Sequence, residues 1–535
     1  MALWRFFAIF VQNFRIMSNL RYPVGIQSFP KIIEEGYVYV DKTHYLQPLL
    51  QQGQFIFLSR PRRFGKSLFL STLKCYFEGR RGLFKGLAAD SMDLDWTPSP
   101  VLRFDLNAED FSQENGLIHL LDRLLDEYEK EYGITDVADT LAGRFSRLIK
   151  GAFEATGRKV VILVDEYDKP LQDIYDDEEL FEKNLRLLKG FFGNLKSMDD
   201  YIRFAFITGV ARFAKVSIFS DLNNLKDISM TNEYADICGW TETELIYYFR
   251  AGIEDIAEER EEDFDTTLRE MRKYYDGYLF ASKGSRLYNP YSVLNAFTDK
   301  EIYEYWFDTG TPTFLAKWIK DNGIEPWELN DVKATKKELI SVGFDSLNNP
   351  IPLMFQTGYL SIDRYDKDSQ LYSLRFPNRE VEIGFLTLLL PLYVPETARK
   401  TSPFDFSVFR SDLAKGRIHD FMKRLQTLLK DLPGRDHNES TYRAVTFLIA
   451  VLSGTDAIGE HDGYKGRSDL EVATNRFIYL FEFKYNKSVQ EAKDQIYERD
   501  YAGRYAMDSR KLYLIAANFT EKKDHRGLEY EILDA

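Results

Sequence analysis

Lys159-Val-Val-Ile-Leu-Val164 is, after its lysine, an unbroken apolar run, mostly β-branched, that stops abruptly at Asp165-Glu166. A strand this uniformly apolar has no wet face, so it belongs inside a sheet covered on both sides; such sheets are mainly parallel, with helices as crossovers. The neighbouring sequence supplies both kinds of element. Gln54-Phe-Ile-Phe-Leu-Ser59 and Ile202-Arg-Phe-Ala-Phe-Ile-Thr208-Gly209 read as further buried strands, and Gly116 to Lys130 and Leu180 to Ser197 as helices between them. This alternation, over about the first 230 residues, predicts an open, mainly parallel α/β sheet.

From Thr241 to about Phe421 the pattern changes to amphipathic helices rich in charge and aromatics, with loops at Gly277, Asn289-Pro290, Thr309-Gly310-Thr-Pro312 and Phe376-Pro377-Asn378. Beyond about residue 430, mixed character returns. A helix over Ser440 to Leu452, strands over Gly466 to Val472 and Arg476 to Phe483, a helix over Val489 to Ala502 and a strand over Lys511 to Ala516 form a compact α/β unit. The 535 residues thus divide into an extension (1–19), an α/β domain (20–240), a mostly helical lid or linker region (241–425) and a second α/β domain (426–535). No internal repeat or low-complexity linker interrupts this plan.

Composition excludes several classes. With 44% apolar and 15% aromatic residues the chain is not disordered. Its 70 basic against 84 acidic residues leave a net charge of −14, so contact with a polyanion requires a local basic patch. Two cysteines, Cys75 and Cys238, build neither a disulfide framework nor a Cys-rich zinc site, and a reducing, cytoplasmic setting fits. Leu3 to Val11 is apolar but short and broken by Arg5, and Gly384 to Val394 is interrupted by Pro391, so no membrane span is expected. Met17 precedes the first patterned segment, which makes residues 1–16 an upstream-start extension or a partner-binding tail.

Gly65-Lys66-Ser67 lies at a strand-to-helix junction, as the second half of a phosphate-binding loop does: amides and the helix N-terminus cradle phosphate oxygens, Lys66 neutralises them, and the Ser67 hydroxyl coordinates Mg²⁺. The usual pattern has Gly where this chain has Arg60, and the tripeptide alone also describes an ordinary helix start on a basic surface. Asp165-Glu166 sharpens the reading. An apolar strand tipped by two acids places one carboxylate on the Mg²⁺ shell and the other near an attacking water. Thr208, at the tip of a third strand, is placed to sense the γ-phosphate, and Arg212 to supply positive charge to the transition state; both read equally well as turn residues. Arg62 and Arg63 either contact phosphate or form a basic rim.

Near the C-terminus, Gly466-Arg-Ser-Asp469 is followed by Tyr479-Leu-Phe-Glu482-Phe-Lys484. The two-residue period of a strand sends Glu482 and Lys484 to one face, with Phe481 and Phe483 on the other. Asp469 and Glu482 then offer oxygen ligands to a hard divalent cation, while Lys484 orients water and steadies phosphate charge, as metal-dependent phosphodiester hydrolysis requires. Glu439, Glu460 and Gln495 are further candidates. The same alternation also describes the wet and dry faces of an edge strand. The charges of residues 431–535 sum to about −4, so this unit depends on Mg²⁺ to offset its acids.

Together these segments resemble the AAA-ATPase-like family of bacterial proteins that carry a C-terminal PD-(D/E)XK nuclease-superfamily domain. Carrying the resemblance are Pro23-Val-Gly-Ile-Gln27, Tyr39-Val-Asp-Lys-Thr43, Ser59-Arg-Pro-Arg-Arg-Phe-Gly-Lys-Ser67, Val164-Asp-Glu-Tyr-Asp168, Thr208-Gly-Val210, Tyr275-Asp-Gly-Tyr278, Tyr288-Asn-Pro290, Tyr305-Trp-Phe307, Phe355-Gln-Thr-Gly-Tyr359, Phe376-Pro-Asn378, Asp469 and Glu482-Phe-Lys484. The resemblance makes Arg60 a family trait. It implies a P-loop NTPase parallel sheet with a nuclease-like fold after about residue 430, ATP at Lys66 and Ser67, and Mg²⁺ and hydrolysis roles for Asp165 and Glu166. Taken with the reading of the residues above, the expected plan is α/β with a helical middle, ATP also meets Arg63, Phe64, Gly65, Asp165 and Thr208, and Mg²⁺ is expected at Ser67 and Asp165 and again at Asp469 and Glu482. Glu166, Arg212, Asp469, Glu482 and Lys484 are the expected catalytic residues. The expected function is ATP hydrolysis coupled to Mg²⁺-dependent cleavage of DNA or RNA, away from membranes and in an oligomeric state the sequence leaves open. The rival expectation is a nucleotide-gated module whose C-terminal domain binds without cutting.

Overall fold

The computed structural model describes residues 20–136, 138, 140–174, 177–212, 224–307, 313–340, 349–394, 405–430, 438–463, 466–522 and 525–534. The expected N-terminal extension and the Thr309–Pro312 loop lie outside them. The chain forms two compact units. One runs to Trp306 and resumes over Lys333–Glu380; the other comprises Phe307–Val332 and the chain from Val381 onward. The backbone therefore passes from one unit to the other at three points.

The first unit is organised around a five-stranded parallel sheet of β1 (Phe55–Ser59), β2 (Val101–Asp105), β3 (Val160–Asp165), β4 (Ile202–Gly209) and β5 (Leu225–Asp227), in the order β2-β3-β4-β1-β5. Every residue of β3 is buried, as its unbroken apolar run requires. Burial of one such aliphatic side chain contributes roughly 1.5–3 kcal/mol. Helices α1 (Lys66–Phe77), α2 (Gly116–Glu131), α3 (Leu141–Thr156) and α4 (Glu178–Gly193) supply the crossovers. Since β4 lies between β1 and β3, the tip of β4 separates the loop after β1 from the acids that end β3.

Residues beyond 240 do not begin a separate region. Helices α5 (Glu242–Glu259), α6 (Phe264–Tyr275) and α7 (Pro290–Asp299) bury Leu245, Phe249, Ile253, Met271, Val293 and Phe297 in one core with Val40, against which Tyr22 and Val38 also pack. That shared core is the physical reason the division falls at 306 and 380 rather than at the expected 240 and 425. The helical middle also holds a small sheet of β6 (Val332–Thr335), β7 (Ser361–Asp366) and β8 (Leu371–Arg375), and the short helix α8 (Ile351–Thr357).

The second unit carries a mixed sheet of β9 (Asp456–Gly463), β10 (Gly466–Ala473), β11 (Phe477–Tyr485), β12 (Lys511–Lys522) and β13 (His525–Asp534), in the order β13-β12-β11-β10-β9. Only β11 and β12 run parallel. Helices α9 (Ile418–Lys430) and α10 (Glu439–Leu452) precede the sheet, and α11 (Val489–Glu498) crosses from β11 to β12. Strand β11 alternates as its period demands. Ile478 and Leu480 share a core with Ala492 and Ile496 of α11, whereas Phe481 and Phe483 meet Phe421 and Phe519.

Candidate functional site

The loop after β1 turns into α1 through Gly65, whose φ of +92° caps the helix in the left-handed region. Lys66 and Ser67 therefore stand at the start of a 12-residue helix, where free amides and the helix dipole favour an anion. The Lys66 ammonium is buried and donates to the carbonyls of Arg60 and Pro61 at 3.0 Å each.

A phosphate loop normally obtains its shape from glycines, but here tertiary contacts impose it. Arg60 points inward, 1% exposed, donating to the carbonyls of Ser229 (2.7 Å) and Tyr234 (2.9 Å) beneath the Phe280 ring. Burial pulls its guanidinium down to about 10, so it stays charged at neutral pH. Pro61 lies under Gly358, where an added Cβ would come within 2.8 Å of the proline ring. Arg62 donates to Gln172 (2.8 Å). Arg63, at a φ of +69°, stacks on Tyr291 and donates to the Tyr305 carbonyl at 3.1 Å. Phe64 is edge-on to both Tyr278 and Phe280. Neither arginine is a free rim, and the Phe64 side chain is spent on packing.

The expected acids, Asp165 and Glu166, stand together at the carboxyl end of β3, and Thr208 lies near the end of the neighbouring strand β4. Asp165 is buried, accepting from the Thr208 hydroxyl at 2.9 Å and lying 3.4 Å from the Arg103 guanidinium. Thr208 is thus brought to Asp165, with its hydroxyl engaged there rather than on an open phosphate position. Burial pushes the Glu166 carboxyl up, opposed by Lys66. Arg212 is not brought to this place. It pairs with Asp227 beside β5, and its amide donates to Gln356 at 2.6 Å.

Asp168 had no role assigned from sequence. Fully buried, it accepts from the Val210 amide at 3.1 Å, from the Ala211 amide and from Gln172, whose carbonyl oxygen in turn takes Arg62. It ties the turn after β3 to the end of β4 and, through Gln172, to the phosphate loop. Its only sequence signal was membership of the Val164-Asp-Glu-Tyr-Asp168 segment.

Lys66, Ser67, Glu166, Lys169 and Asn107 line a cavity of about 360 Å³, within the size range of small-molecule sites. Ile26, Val38, Val40, Trp240 and Leu294 give the same cavity apolar lining, and Lys42, held by Glu244 at 2.6 Å, lines it as well. A lining that combines cationic side chains and a helix N-terminus with apolar residues is chemically suited to a nucleoside triphosphate.

In the second unit the ladder between β10 and β11 ends at Leu470 and Phe481. One residue further, the Asp469 carboxylate itself accepts the Phe483 amide at 2.7 Å, so the strands part where the acids stand. Glu482 is 0% exposed; Lys484 donates to one of its oxygens at 2.7 Å and Tyr501 to the other at 2.9 Å. Burial pushes Asp469 and Glu439 up, and raises Glu482 to about 7 with Asp469 adding to the effect. Arg443, one helical turn beyond Glu439, bonds Glu460 at 2.8 Å and lies 3.9 Å from Asp469 beneath Trp327. Sequence reasoning missed Tyr501 and Arg443, which carry no local pattern. Buried acids of raised pKa are a donor set that suits a hard cation. Among the described residues, however, no three His, Cys, Asp or Glu side chains converge tightly enough to hold a metal as they stand.

Comparison with known proteins agrees with both units. A family model described as predicted AAA-ATPase matches residues 23–219, and one described as PD-(D/E)XK nuclease superfamily matches 437–529. An uncharacterized protein in the vnfD 5′ region of Azotobacter chroococcum mcd 1 is 34% identical over 539 aligned positions, covering 96% of this chain and 98% of that one. The solved structure of the Aeropyrum pernix Orc1 protein in complex with DNA overlays 86% of this chain and 93% of that one at 11% identity with a TM-score of 0.24, too loosely to bear on fold or ligand. Among the described residues no helix is long and apolar enough to cross a membrane. With a relative aligned from end to end and both motifs in place, the chain belongs to the family of AAA-ATPase-like proteins that end in a PD-(D/E)XK nuclease-superfamily domain.

Proposed function

We propose that the first unit binds ATP with Mg²⁺ and hydrolyses it, and that nucleotide state governs a Mg²⁺-dependent nuclease activity of the C-terminal domain on DNA or RNA. The observation that carries the reading is the shared cavity: Lys66 and Ser67, which open a helix, line it together with Glu166. In this reading Lys66 exchanges the carbonyls of Arg60 and Pro61 for phosphate oxygens, Ser67 and Asp165 hold the cation, and Thr208 fixes the Asp165 carboxylate. Glu166, its proton affinity raised by burial, orients the attacking water and takes its proton. Arg212 keeps Asp227 as its partner and has no part at the γ-phosphate.

At the second site Asp469 and Glu482 are the metal ligands, with Lys484 and Tyr501 setting the Glu482 carboxylate. Mg²⁺, when bound, supplies charge neutralisation and a more acidic water. The full chain is expected to cleave labelled DNA or RNA only with Mg²⁺, and Asp469→Asn and Lys484→Ala to reduce cleavage about 100-fold or more. Unchanged cleavage in both variants contradicts the assignment.

One observation favours a second reading, a nucleotide-gated module that binds without cutting: both Glu482 oxygens are already occupied. ATP-dependent retention of an intact oligonucleotide, with no cleavage under any divalent cation, would select it.

A further inference from the structure

The phosphate loop is bonded to one of the two places where the chain leaves the first unit, and through it to the other. Trp306 is the last residue before the first exit and Glu380 the last before the final one. Glu380 is 0% exposed, and one of its oxygens accepts the Tyr305 amide (2.6 Å) and the Trp306 amide (2.8 Å), while the other accepts the Ser292 hydroxyl (2.8 Å). The dipeptide so pinned grips the loop: the Tyr305 carbonyl accepts from Arg63, and the Trp306 indole donates to the Arg62 carbonyl at 3.4 Å. Its surroundings fix it further. Trp306 meets Tyr359 edge-on, and the Gly358 beside that tyrosine presses on Pro61. Ser292 belongs to the same helix as Tyr291, on which Arg63 stacks.

Of the three hydrogen bonds that Glu380 accepts, two come from adjacent amides of a segment 75 residues earlier. We propose that Glu380 is a positioning residue for the phosphate loop, acting through Tyr305 and Trp306, and that the same contacts report occupancy of the loop to the backbone where it leaves this unit. The inference rests on the nucleotide reading above and adds its regulation. When Lys66 leaves the Arg60 and Pro61 carbonyls for phosphate, the segment whose carbonyls and side chains hold Tyr305 and Trp306 is the segment that rearranges.

The test uses the full chain and three variants. Glu380→Ala removes all three acceptors. Glu380→Gln keeps one oxygen for the two amides and turns its NH₂ to the Ser292 hydroxyl. Trp306→Phe removes the indole donor and some ring volume while keeping an aromatic ring to face Tyr359. The expected result is a kcat for ATP reduced about 10- to 100-fold in Glu380→Ala, most of it restored in Glu380→Gln, with a smaller loss in Trp306→Phe. In hydrogen exchange, a non-hydrolysable ATP analogue should change protection of the peptide spanning 303–307 in the wild type and not in Glu380→Ala. Wild-type kcat, KM and nucleotide-dependent exchange in both Glu380→Ala and Trp306→Phe overturn the proposal, whatever the thermal stability of either. If Glu380→Ala fails to fold, Trp306→Phe decides by the same readouts. If the wild type binds no ATP, the nucleotide reading has failed; positioning is then judged by exchange of the loop amides 62–65, which Trp306→Phe must accelerate or the proposal falls.

Discussion

Arg60 shows how far a residue can depart from a motif while preserving what the motif achieves. Glycine at this position would free the loop; the arginine instead anchors it by bonding carbonyls about 170 residues downstream. Arg60→Gly, although it restores the common pattern, is expected to destabilise the fold by about 3 kcal/mol, because the Ser229 and Tyr234 carbonyls lose charged donors. A drop of several degrees in Tm with no gain in ATP affinity is the expected outcome, and an unchanged Tm contradicts it. Glu380 gives a pH prediction. Its carboxyl, raised from 4.5 to about 7 chiefly by burial, keeps a proton in the native state that the unfolded chain releases. Its contribution to stability therefore falls as pH rises from about 4.5 to 7, by at most about 3 kcal/mol. Glu380→Gln removes that dependence, so the wild type should lose stability relative to the variant across this window; a constant difference from pH 4.5 to 8 would show that the group does not titrate there. Lys66, Asp165 and Glu482 were legible in sequence because each sits at a strand tip or a strand period that local pattern reveals. Asp168, Glu380 and Tyr501 were not, since each acquires its role from partners distant in the chain.

At the scale of elements, the fully apolar strands and the helices between them announce themselves, and α10, β11 and α11 were expected close to where they lie. Strands β9 and β13 were not. β9 reads Asp-Ala-Ile-Gly-Glu-His-Asp-Gly, with no alternation, and exists because β10 offers it a ladder. Likewise the C-cap of α8 looks ordinary in sequence, yet Gly358 holds a φ of +92° against Pro61. Gly358→Ala should therefore displace the phosphate loop and raise the KM for ATP, in addition to costing about 1 kcal/mol of backbone strain. A variant with lower stability but unaltered KM would mean that α8 supports the fold without supporting the loop.

At the scale of the molecule, the interleaved chain means that neither unit is a continuous stretch of sequence. Trp327, from the Phe307–Val332 excursion, packs edge-on against Phe447 of α10 and fills the space over Gly459 of β9. Trp327→Ala is accordingly expected to destabilise the nuclease-like unit by about 3–5 kcal/mol, read as loss of its cooperative melting transition. The excursion has no compositional mark, which is why a boundary placed by composition at 425 missed it. The aromatic segments Tyr275–Tyr278, Tyr288–Pro290, Tyr305–Phe307 and Phe355–Tyr359 carry the family resemblance in sequence, and several of their residues pack around the phosphate loop, which is thus built from distant pieces of chain. The claim on which everything else depends is that this arginine-rich loop is a working nucleotide site. Mg²⁺-dependent ATP turnover by the full chain, measured beside Lys66→Ala with and without DNA, tests it most directly. Turnover abolished by Lys66→Ala and stimulated by DNA is the result predicted; turnover that survives the substitution would contradict the account.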